Sequence, residues 1–270
     1  MFNEVITSSQ NLKIKYLDKL YTKSSVRKAD GLFVVEGIRE IFRAIKSGYI
    51  LETLYRCSEI MSEDSMQNQN DIKVDENKII EIGKNVFEGL AYRENSGGMI
   101  GVFQSRYVGL EDLRLSENPL ILVVEAIEKP GNIGAIFRTA DSAKIDAIII
   151  CDQKTDIYNP NVIRASVGCV FSVPFVVSTN ENALTWLKSK NINLYSASLS
   201  ATNFYYNVDF DSPSALIVGS EANGLSDFWL GNSQQIKIPM MGIADSLNVS
   251  VSTAVILYEA IRQRNFNLRG

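Results

Sequence analysis

The sequence predicts an α/β protein in which a smaller α/β domain precedes a larger domain built on a parallel sheet. Three observations carry this prediction. From Pro119 onward, apolar runs of five to seven residues alternate with helical segments, as in strands that a parallel sheet buries on both faces. The stretch just before Pro119 is an aperiodic connector, which separates this pattern from an earlier one. The 270 residues, 46% of them hydrophobic, suffice for two domains with buried cores.

Residues 1–105 form the first predicted domain, a mixed α/β unit. Between Glu36 and Gly48, isoleucines and a phenylalanine recur at the spacing of one helix face, which predicts an amphipathic helix. The expected elements, in chain order, are a basic helix, strand 31–36, helix 36–48, strand 51–56, a loop over 61–71, helix 75–83 and strand 98–103.

Residues 106–117 form a predicted linker, and residues 118–270 form the second predicted domain. Its expected elements, in chain order, are strand 120–126, helix 131–143, strand 146–151, helix 160–166, strand 173–177, helix 182–189, strands 193–197, 215–219 and 235–239, and helix 247–264. Because ligands of open parallel sheets bind beyond the carboxyl ends of the strands, the loops at those ends are the expected place for a site.

The residue types present in the chain restrict its chemistry. It has no histidine, which excludes Ser-His-Asp and Cys-His catalysis and removes the commonest transition-metal ligand. The widely spaced Cys57, Cys151 and Cys169 indicate free thiols in a reducing compartment. No apolar run is long enough for a membrane span, and the N-terminus lacks a secretion-signal pattern. We therefore expect a cytoplasmic globular protein without a membrane segment or a metal.

Positive charge is concentrated near the N-terminus. The whole chain has a net charge of −4, yet between Gln10 and Lys28 six basic residues accompany the single acid Asp18. A second basic stripe, containing Arg39 and Arg43, follows on one face of the next predicted helix. Charge alone leaves two interpretations open, a solvated helix face or contacts to the phosphates of a nucleic acid.

Three polar loops follow strand-like runs in the second domain, at 130–138, 219–226 and 238–252. Each has an ordinary explanation as a helix start, with Asn132, Ser226 (or Asp227) and Ser246 as the respective caps. The third loop fits this explanation least well, because a long excursion between buried segments must satisfy many backbone groups. A bound adenine or methionyl moiety would satisfy several of them. We therefore predict one composite site formed by the three loops.

Together, these loops closely resemble the signature motifs of the SpoU/TrmH branch of the SPOUT RNA methyltransferases. The patterns N-I-G-x-x-x-R, G-S-E-x-x-G-L-S and I-P-M-x5-S-L-N-V-S occur in the order of that family, between Asn132 and Ser252. Residues 33–37 resemble, more loosely, the ribosomal-protein-like RNA-binding domain that often precedes this catalytic domain. The resemblance implies a deep trefoil knot, formed by the segments at 219–224 and 238–248.

The resemblance also implies an activity and its partners. The expected reaction is S-adenosylmethionine-dependent methylation of a ribose 2′-hydroxyl in structured RNA, with ribosomal RNA favoured over transfer RNA. The expected assembly is a homodimer through the catalytic domain, with the site built across the interface. With this context, phosphate contact becomes the favoured interpretation of the basic stripes. The residues expected to contact RNA are Lys13, Lys15, Lys19, Lys23, Arg27, Lys28, Arg39 and Arg43.

Site residues follow from the matched motif positions. Arg138 is expected to stabilise the alkoxide of the attacking ribose, because a guanidinium stays protonated and is a poor general base. Asn132 and Asn248 would bind the ribose or hold the loops, and Glu221 would orient Arg138 or the loops. Ser246 is the remaining catalytic position. The residues expected to bind the cofactor, largely through backbone atoms, are Gly219, Ile238 and Leu247.

Two other classes of function stay open at this point. A nucleotide-dependent oxidoreductase could use residues 132–138 as a degenerate dinucleotide loop, but G-x-G-x-x-G is absent and the last loop would lack a role. A non-catalytic RNA-binding protein of the same fold is the second class, although Asn132, Arg138, Glu221 and Asn248 are all present. Uptake of S-adenosylmethionine or of NAD discriminates among these hypotheses.

Overall fold

The computed structural model describes residues 5–61, 74–91 and 97–266. By their contacts, the residues form two compact units, of which unit 1 comprises Met1–Arg106 and Asp156–Ser172, and unit 2 comprises Tyr107–Thr155 and Val173–Gly270. The sequence-based boundaries did not anticipate that a segment from the second half of the chain would join unit 1. Within residues 106–117, predicted as a linker, Leu110, Leu113 and Leu115 pack against the core of unit 2.

The described residues form helices and strands with the following bounds. They are α1 (Leu12–Thr22), α2 (Ser24–Asp30), β1 (Leu32–Glu36), α3 (Ile38–Lys46), β2 (Leu51–Arg56), β3 (Ile79–Glu81), α4 (Lys84–Leu90), β4 (Met99–Gln104), β5 (Leu120–Glu125), α5 (Pro130–Ser142), β6 (Ala147–Cys151), α6 (Pro160–Ala165), β7 (Phe175–Ser178), α7 (Asn180–Ser189), β8 (Asn193–Ala197), β9 (Asn203–Phe204), β10 (Ser214–Val218), α8 (Asp227–Asn232), β11 (Gln234–Lys237) and α9 (Val249–Phe266). No helix among them is both long and apolar enough to cross a membrane.

Unit 1 is built on a four-stranded sheet in the order β1-β4-β2-β3. Helix α1 begins after Asn11, whose side chain accepts a hydrogen bond from the backbone N–H of Lys13, and it buries one apolar face in the core. The segment Asp156–Ser172 packs against the sheet at Phe33, which neighbours Val34 of that core on β1, and the ring of Tyr158 stacks on that of Phe33 with centroids 4.3 Å apart. Unit 1 therefore depends on residues that are far apart in the sequence.

Unit 2 is built on a seven-stranded sheet in the order β7-β6-β5-β10-β8-β11-β9, and all its pairings are parallel. Strands β5, β6 and β10 are buried along their whole length, as expected where helices cover both faces. The parallel α/β prediction is thus confirmed. Because all strands run in one direction, the loops after β5, β10 and β11 emerge at the same edge of the sheet.

Several local predictions in the first domain differ from the structure. The helix predicted at 75–83 is wrong: Glu76–Lys78 is a single 3-10 turn, and Ile79–Glu81 forms β3, paired in parallel with β2. Phe42, predicted on the apolar face of α3, is 39% exposed. The short helix α4 was not predicted, nor was β9 in unit 2, whereas α8 begins at Asp227 directly after Ser226, where a helix start was one interpretation of the second loop. Nearly all of the loop predicted at 61–71 lies outside the described residues.

Candidate active site

A cavity of about 490 Å³ lies in unit 2, beside the segments that follow β10 and β11. This volume is within the range of ordinary small-molecule sites. Five residues predicted from the loops line it, namely Gly219, Glu221, Ile238, Ser246 and Leu247. Apolar side chains that line the same cavity include those of Val218, Leu225 and Ile256. The structure therefore brings the second and third loops together around one space.

Gly219 shows why a glycine stands at the end of β10. A Cβ atom at this position would lie 2.2 Å from the carbonyl oxygen of Gly224, which is far too close. Ser220 and Gly224 exchange backbone hydrogen bonds of 3.0 and 2.9 Å, and Gly224 has a positive φ of 66°. The loop is therefore folded tightly on itself. At Gly219 it offers only backbone atoms to the cavity, which fits a ligand held by main-chain groups.

The first and third loops are joined by a side-chain hydrogen bond. Nδ2 of Asn248 donates to Oδ1 of Asn132 over 3.2 Å. Asn248 also accepts hydrogen bonds from the backbone N–H and the hydroxyl of Ser250, so Asn248 is the cap of α9 and the prediction of Ser246 as its cap is wrong. Asn248 occupies the cap position because its side-chain carbonyl oxygen accepts from the N–H of Ser250, the second residue of the helix.

Asn132 is not a helix cap, contrary to the sequence-based interpretation. Helix α5 begins at Pro130 after Lys129, and the Asn132 side chain faces Asn248 instead. Its Nδ2 atom is buried and has no hydrogen-bond partner among the described residues. An unpaired buried donor costs about 1–3 kcal/mol. This donor is therefore available for an acceptor brought by a ligand or by another chain.

Arg138 lies on α5 with its side chain exposed to solvent. In the described parts of the chain, no group forms an ion pair or hydrogen bond with its guanidinium, and the cavity lining does not include it. Glu221 is likewise exposed and forms no ion pair with Arg138 in these residues, so the expected pairing of the two side chains is not found. Arg138 is free to meet an external anion.

The acid that does hold the second loop is Glu125, which the sequence analysis missed. Glu125 ends β5, is 4% exposed, and accepts hydrogen bonds from the backbone N–H and the hydroxyl of Ser226, at 2.8 and 2.7 Å. A single carboxylate at the end of the apolar run Leu120–Val124 was the available signal, because a buried acid requires donors close by.

The cysteines are unsuited to act as nucleophiles. Cys57, Cys151 and Cys169 are buried and unpaired by disulfides. Burial, reinforced by the nearby Glu125 carboxylate, raises the pKa of the Cys151 thiol to about 12, and burial also raises the pKa of Cys57. Because the thiolate is the reactive form, Cys57 and Cys151 stay inert at neutral pH.

Two of the eight basic residues assigned to RNA contact form hydrogen bonds within unit 1. Arg27 is 3% exposed, pairs with Asp156 at 2.7 Å and donates to the carbonyls of Leu20 and Tyr21. Arg43 donates to the carbonyl of Val167, within the segment that completes unit 1. The assignment of Arg27 is corrected, since a guanidinium that is buried and bonded to a carboxylate and two carbonyls is not available for phosphate, whereas the half-buried Arg43 is bonded, among the described residues, through Nη1 alone and its contact with RNA stays a prediction.

The other basic residues of the set remain at the surface. They are Lys13, Lys15, Lys19, Lys23, Lys28 and Arg39. Lys15, Lys19 and Lys23 line one groove of about 520 Å³ together with residues of α4. Tyr16 lines the same groove, and its hydroxyl donates to Asp30 over 2.6 Å. Unit 1 thus offers a cationic groove with an aromatic ring beside it.

Comparison with known families decides the affiliation of the chain. The model of the SpoU rRNA Methylase family matches residues 119–258, more than half of the chain. The chain belongs to the SpoU methylase family. A second family model, the MRM3-like substrate binding domain, matches residues 11–101. Both halves of this SpoU methylase therefore have counterparts in known proteins.

Similar proteins extend this result along nearly the whole SpoU methylase chain. The 23S rRNA (guanosine(2553)-2'-O)-methyltransferase RlmP of Bacillus subtilis is 27% identical, covering 94% of this chain and 97% of RlmP. The crystal structure of an RNA 2'-O ribose methyltransferase is 37% identical with a TM-score of 0.85, covering 97% of this chain and 99% of that chain. AviRb of Streptomyces viridochromogenes, a SpoU methyltransferase in complex with AdoMet, is 26% identical with a TM-score of 0.85, covering 94% and 98%.

Proposed function

We propose that this SpoU methylase transfers a methyl group from S-adenosylmethionine to a ribose 2′-hydroxyl of ribosomal RNA. The observation that carries the proposal is the cavity that collects Gly219, Ile238 and Leu247 at one edge of the parallel sheet. RlmP is named as acting on 23S rRNA, and AviRb is bound to AdoMet in its crystal structure. These names favour ribosomal RNA over transfer RNA and over NAD chemistry. Such a substrate implies a cytoplasmic protein.

The cavity fits the proposed methyl donor. S-adenosylmethionine supplies a methyl group that is already activated on a sulfonium, so the residues need only bind and orient it. Backbone atoms at Gly219 would hold polar edges of the donor, and the side chains of Leu225 and Leu247 would cover its apolar surface. Such a pocket of few polar groups and many apolar ones is typical of cofactor sites.

The residues of the first loop would act on the ribose. A ribose hydroxyl is a very weak acid, so its developing negative charge needs a fixed positive group. The exposed guanidinium of Arg138, which has no partner among the described residues, would supply such a charge. Nδ2 of Asn132, which has no partner among the described residues, and Asn248, the cap of α9, would position the sugar, with the proton leaving to phosphate or water. Ser246 and Glu221 both line the cavity, and Glu221 forms no ion pair with Arg138 within the described part of the chain.

We further propose a homodimer in which Arg138 of one protomer serves the cavity of its partner. Helix α9 exposes an apolar stripe that includes Val251 (47% exposed) and Tyr258 (50% exposed), and the third loop exposes Met241 and Ile243 almost fully. An exposed apolar surface of this kind is typical of a protein–protein interface. Arg138 does not line the cavity of its own chain among the described residues, which favours a site shared between two chains.

The shared site is tested by mixing two inactive variants. Arg138→Ala removes the cation, and Gly219→Ala distorts the cavity wall by the close contact described above. Mixed dimers contain one site with an intact cavity and an intact arginine only if Arg138 acts across the interface. We expect the mixture to recover about a quarter of wild-type methyl transfer. No recovery, with mixed dimers shown by mass spectrometry, would contradict the shared site.

The reaction itself is tested on ribosomal RNA. Purified protein is expected to bind S-adenosylmethionine in calorimetry and to produce a 2′-O-methylated nucleotide that resists alkaline cleavage. Mapping of such sites in ribosomal and transfer RNA, with and without the gene, identifies the nucleotide. Binding of NAD in place of S-adenosylmethionine, or methylation of transfer RNA alone, would contradict the proposal.

Unit 1 and the loops of unit 2 carry two further parts of the proposal. Unit 1 would dock the RNA as a ribosomal-protein-like domain, supported by the groove of Lys15, Lys19 and Lys23 and by the match of residues 11–101. The segments 219–224 and 238–248 would form a deep trefoil knot, supported by the insertion of β10 between β5 and β8. An experimental chain trace in which α9 can be drawn free of these segments would contradict the knot.

A further inference from the structure

We propose that Glu125 is a positioning residue that clamps the loop from Gly219 to Ser226 and thereby sets one wall of the cofactor cavity. The inference rests on the proposed use of S-adenosylmethionine. Glu125 itself does not line the cavity among the described residues, so it acts through the loop. It stands at the end of β5, the strand that leads into α5 with Asn132 and Arg138. One side chain therefore ties the first loop to the second.

Three donors converge on this carboxylate. Its Oε1 accepts from the hydroxyl of Ser226 at 2.7 Å and from Nδ2 of Asn180 at 2.8 Å, and its Oε2 accepts from the backbone N–H of Ser226 at 2.8 Å. The orientation of the Asn180 amide is fixed in turn, because its Oδ1 accepts from Nε1 of Trp229, which can only donate. The Asn180 amide and the backbone N–H of Ser226 can therefore only donate, and they reach different oxygens of Glu125, which suits a carboxylate better than an amide.

The clamp acts where the loop meets the cavity. At its first end the loop is held by the tight fit of Gly219 against Gly224. At its last end Leu225 is 8% exposed, lines the cavity and packs into the core of unit 2, and Ser226 bonds to Glu125 directly after it. Glu221 to Asn223, between these two ends, stay exposed. Loss of the hydrogen bonds between Ser226 and Glu125 would allow Leu225 to move away from the cavity.

The test compares donor affinity with turnover in the full-length protein. Glu125→Gln keeps the shape of the side chain but places an amide N–H group against one of the donors, where a carboxylate oxygen had accepted a hydrogen bond. We expect the Kd for S-adenosylmethionine in calorimetry to rise about tenfold, the equivalent of one charge-assisted hydrogen bond. The turnover number at saturating donor and RNA should fall less than threefold. Glu181→Gln, which alters an exposed carboxylate next to Asn180, is the matched control and should leave the Kd within twofold.

A double variant separates positioning from general destabilisation. In Glu125→Gln with Asn180→Asp, the new amide donates to the new carboxylate, which still accepts from Trp229, while the amide oxygen still accepts from the N–H of Ser226. We expect this polarity swap to return the Kd to within threefold of wild type. A global loss of packing would not be repaired by it. Should Glu125→Gln fail to fold, Ser226→Ala removes only the hydroxyl contact and should raise the Kd two- to threefold.

The outcomes that overturn the inference are distinct from those that overturn the proposed function. Wild-type protein that does not bind S-adenosylmethionine refutes the proposed function. Wild-type binding combined with an unchanged Kd in folded Glu125→Gln refutes the clamp. Failure of the polarity swap to restore the Kd refutes it as well, as does an unchanged Kd in Ser226→Ala when Glu125→Gln does not fold.

Discussion

Arg138 and Arg27 present the same chemical group in opposite settings. Arg138, in unit 2, is exposed and has no partner among the described residues, whereas Arg27, in unit 1, is buried and bonded to Asp156 and two carbonyls. Both were assigned to RNA contact or catalysis from the sequence. The difference shows that the hydrogen-bond acceptors around a guanidinium indicate its role. A guanidinium whose N–H groups already bond to protein acceptors stabilises the fold, whereas one without such acceptors can bind a substrate.

The same contrast runs through the basic region of unit 1. Arg43 is engaged by the carbonyl of Val167, while Lys15, Lys19 and Lys23 are exposed along one groove. Arginine suits the internal positions because its fork reaches several carbonyls at once, whereas lysine keeps its ammonium in water. Charge composition therefore overestimates the cationic surface that unit 1 leaves exposed.

The largest expected effect comes from Arg27→Ala. Removing one partner of a buried ion pair leaves Asp156 uncompensated and should lower the free energy of unfolding by about 3–5 kcal/mol. Urea denaturation followed by circular dichroism measures this change. Lys28→Ala, at the exposed neighbouring position, is the control and should be nearly neutral. An Arg27→Ala protein that keeps its stability but binds RNA more weakly would show that Arg27 contacts RNA and does not maintain the fold.

Arg138→Ala should leave stability unchanged and reduce methyl transfer about 100- to 1000-fold, the usual cost of losing one group that stabilises a developing oxyanion. Binding of S-adenosylmethionine, measured by calorimetry, should persist. Arg114→Ala, also exposed and in unit 2, is the matched control. Loss of donor binding in Arg138→Ala would contradict the assigned role.

The pH–rate profile of Arg138→Lys sharpens this point. If Arg138 is a fixed cation, lysine lowers the rate because its compact ammonium matches the geometry less well, and the profile keeps its shape. If the maximal rate is conserved and only one limb of the pH–rate profile is displaced along the pH axis, residue 138 acts as a base.

Lys19→Ala should have the smallest effect. Each phosphate contact that is lost lowers the slope of log affinity against log salt by about one and weakens RNA binding without changing sequence preference. Filter binding at several salt concentrations measures the slope. Lys188→Ala, in unit 2, is the control and should leave it unchanged. An unaltered slope in Lys19→Ala would place the RNA elsewhere on unit 1.

The structure also changes the expectation for separating the domains. A truncation at the predicted boundary would remove residues 1–105 and leave the rest of the chain. Ile157, Tyr158 and Phe171 are buried in unit 1, and Asp156 pairs there with Arg27. Deletion would strip this segment of its cover, so surface substitutions test RNA docking more cleanly than truncation does.

Much of unit 2 was readable from the sequence. Continuous apolar runs such as Leu120–Val124 indicate strands that are buried on both faces of the sheet. Gly219 indicates a position where the backbone of Gly224 comes too close for any side chain. The cap of α9 was misplaced by two residues, because Ser246 and Asn248 are both good caps and only geometry selects between them. The helix predicted at 75–83 failed because pairing with β2 overrode local propensity.

The sequence by itself determined the parallel sheet, the three loops at its edge and the family, because periodicity, glycine requirements and motif order are properties of short segments. Tertiary structure alone decided which charges are buried and which acid holds the loop from Gly219 to Ser226. Arg27 meets Asp156 across 129 positions, and Glu125 meets Ser226 across 101. The availability of a polar group depends on its spatial neighbours, and a sequence pattern does not record those neighbours.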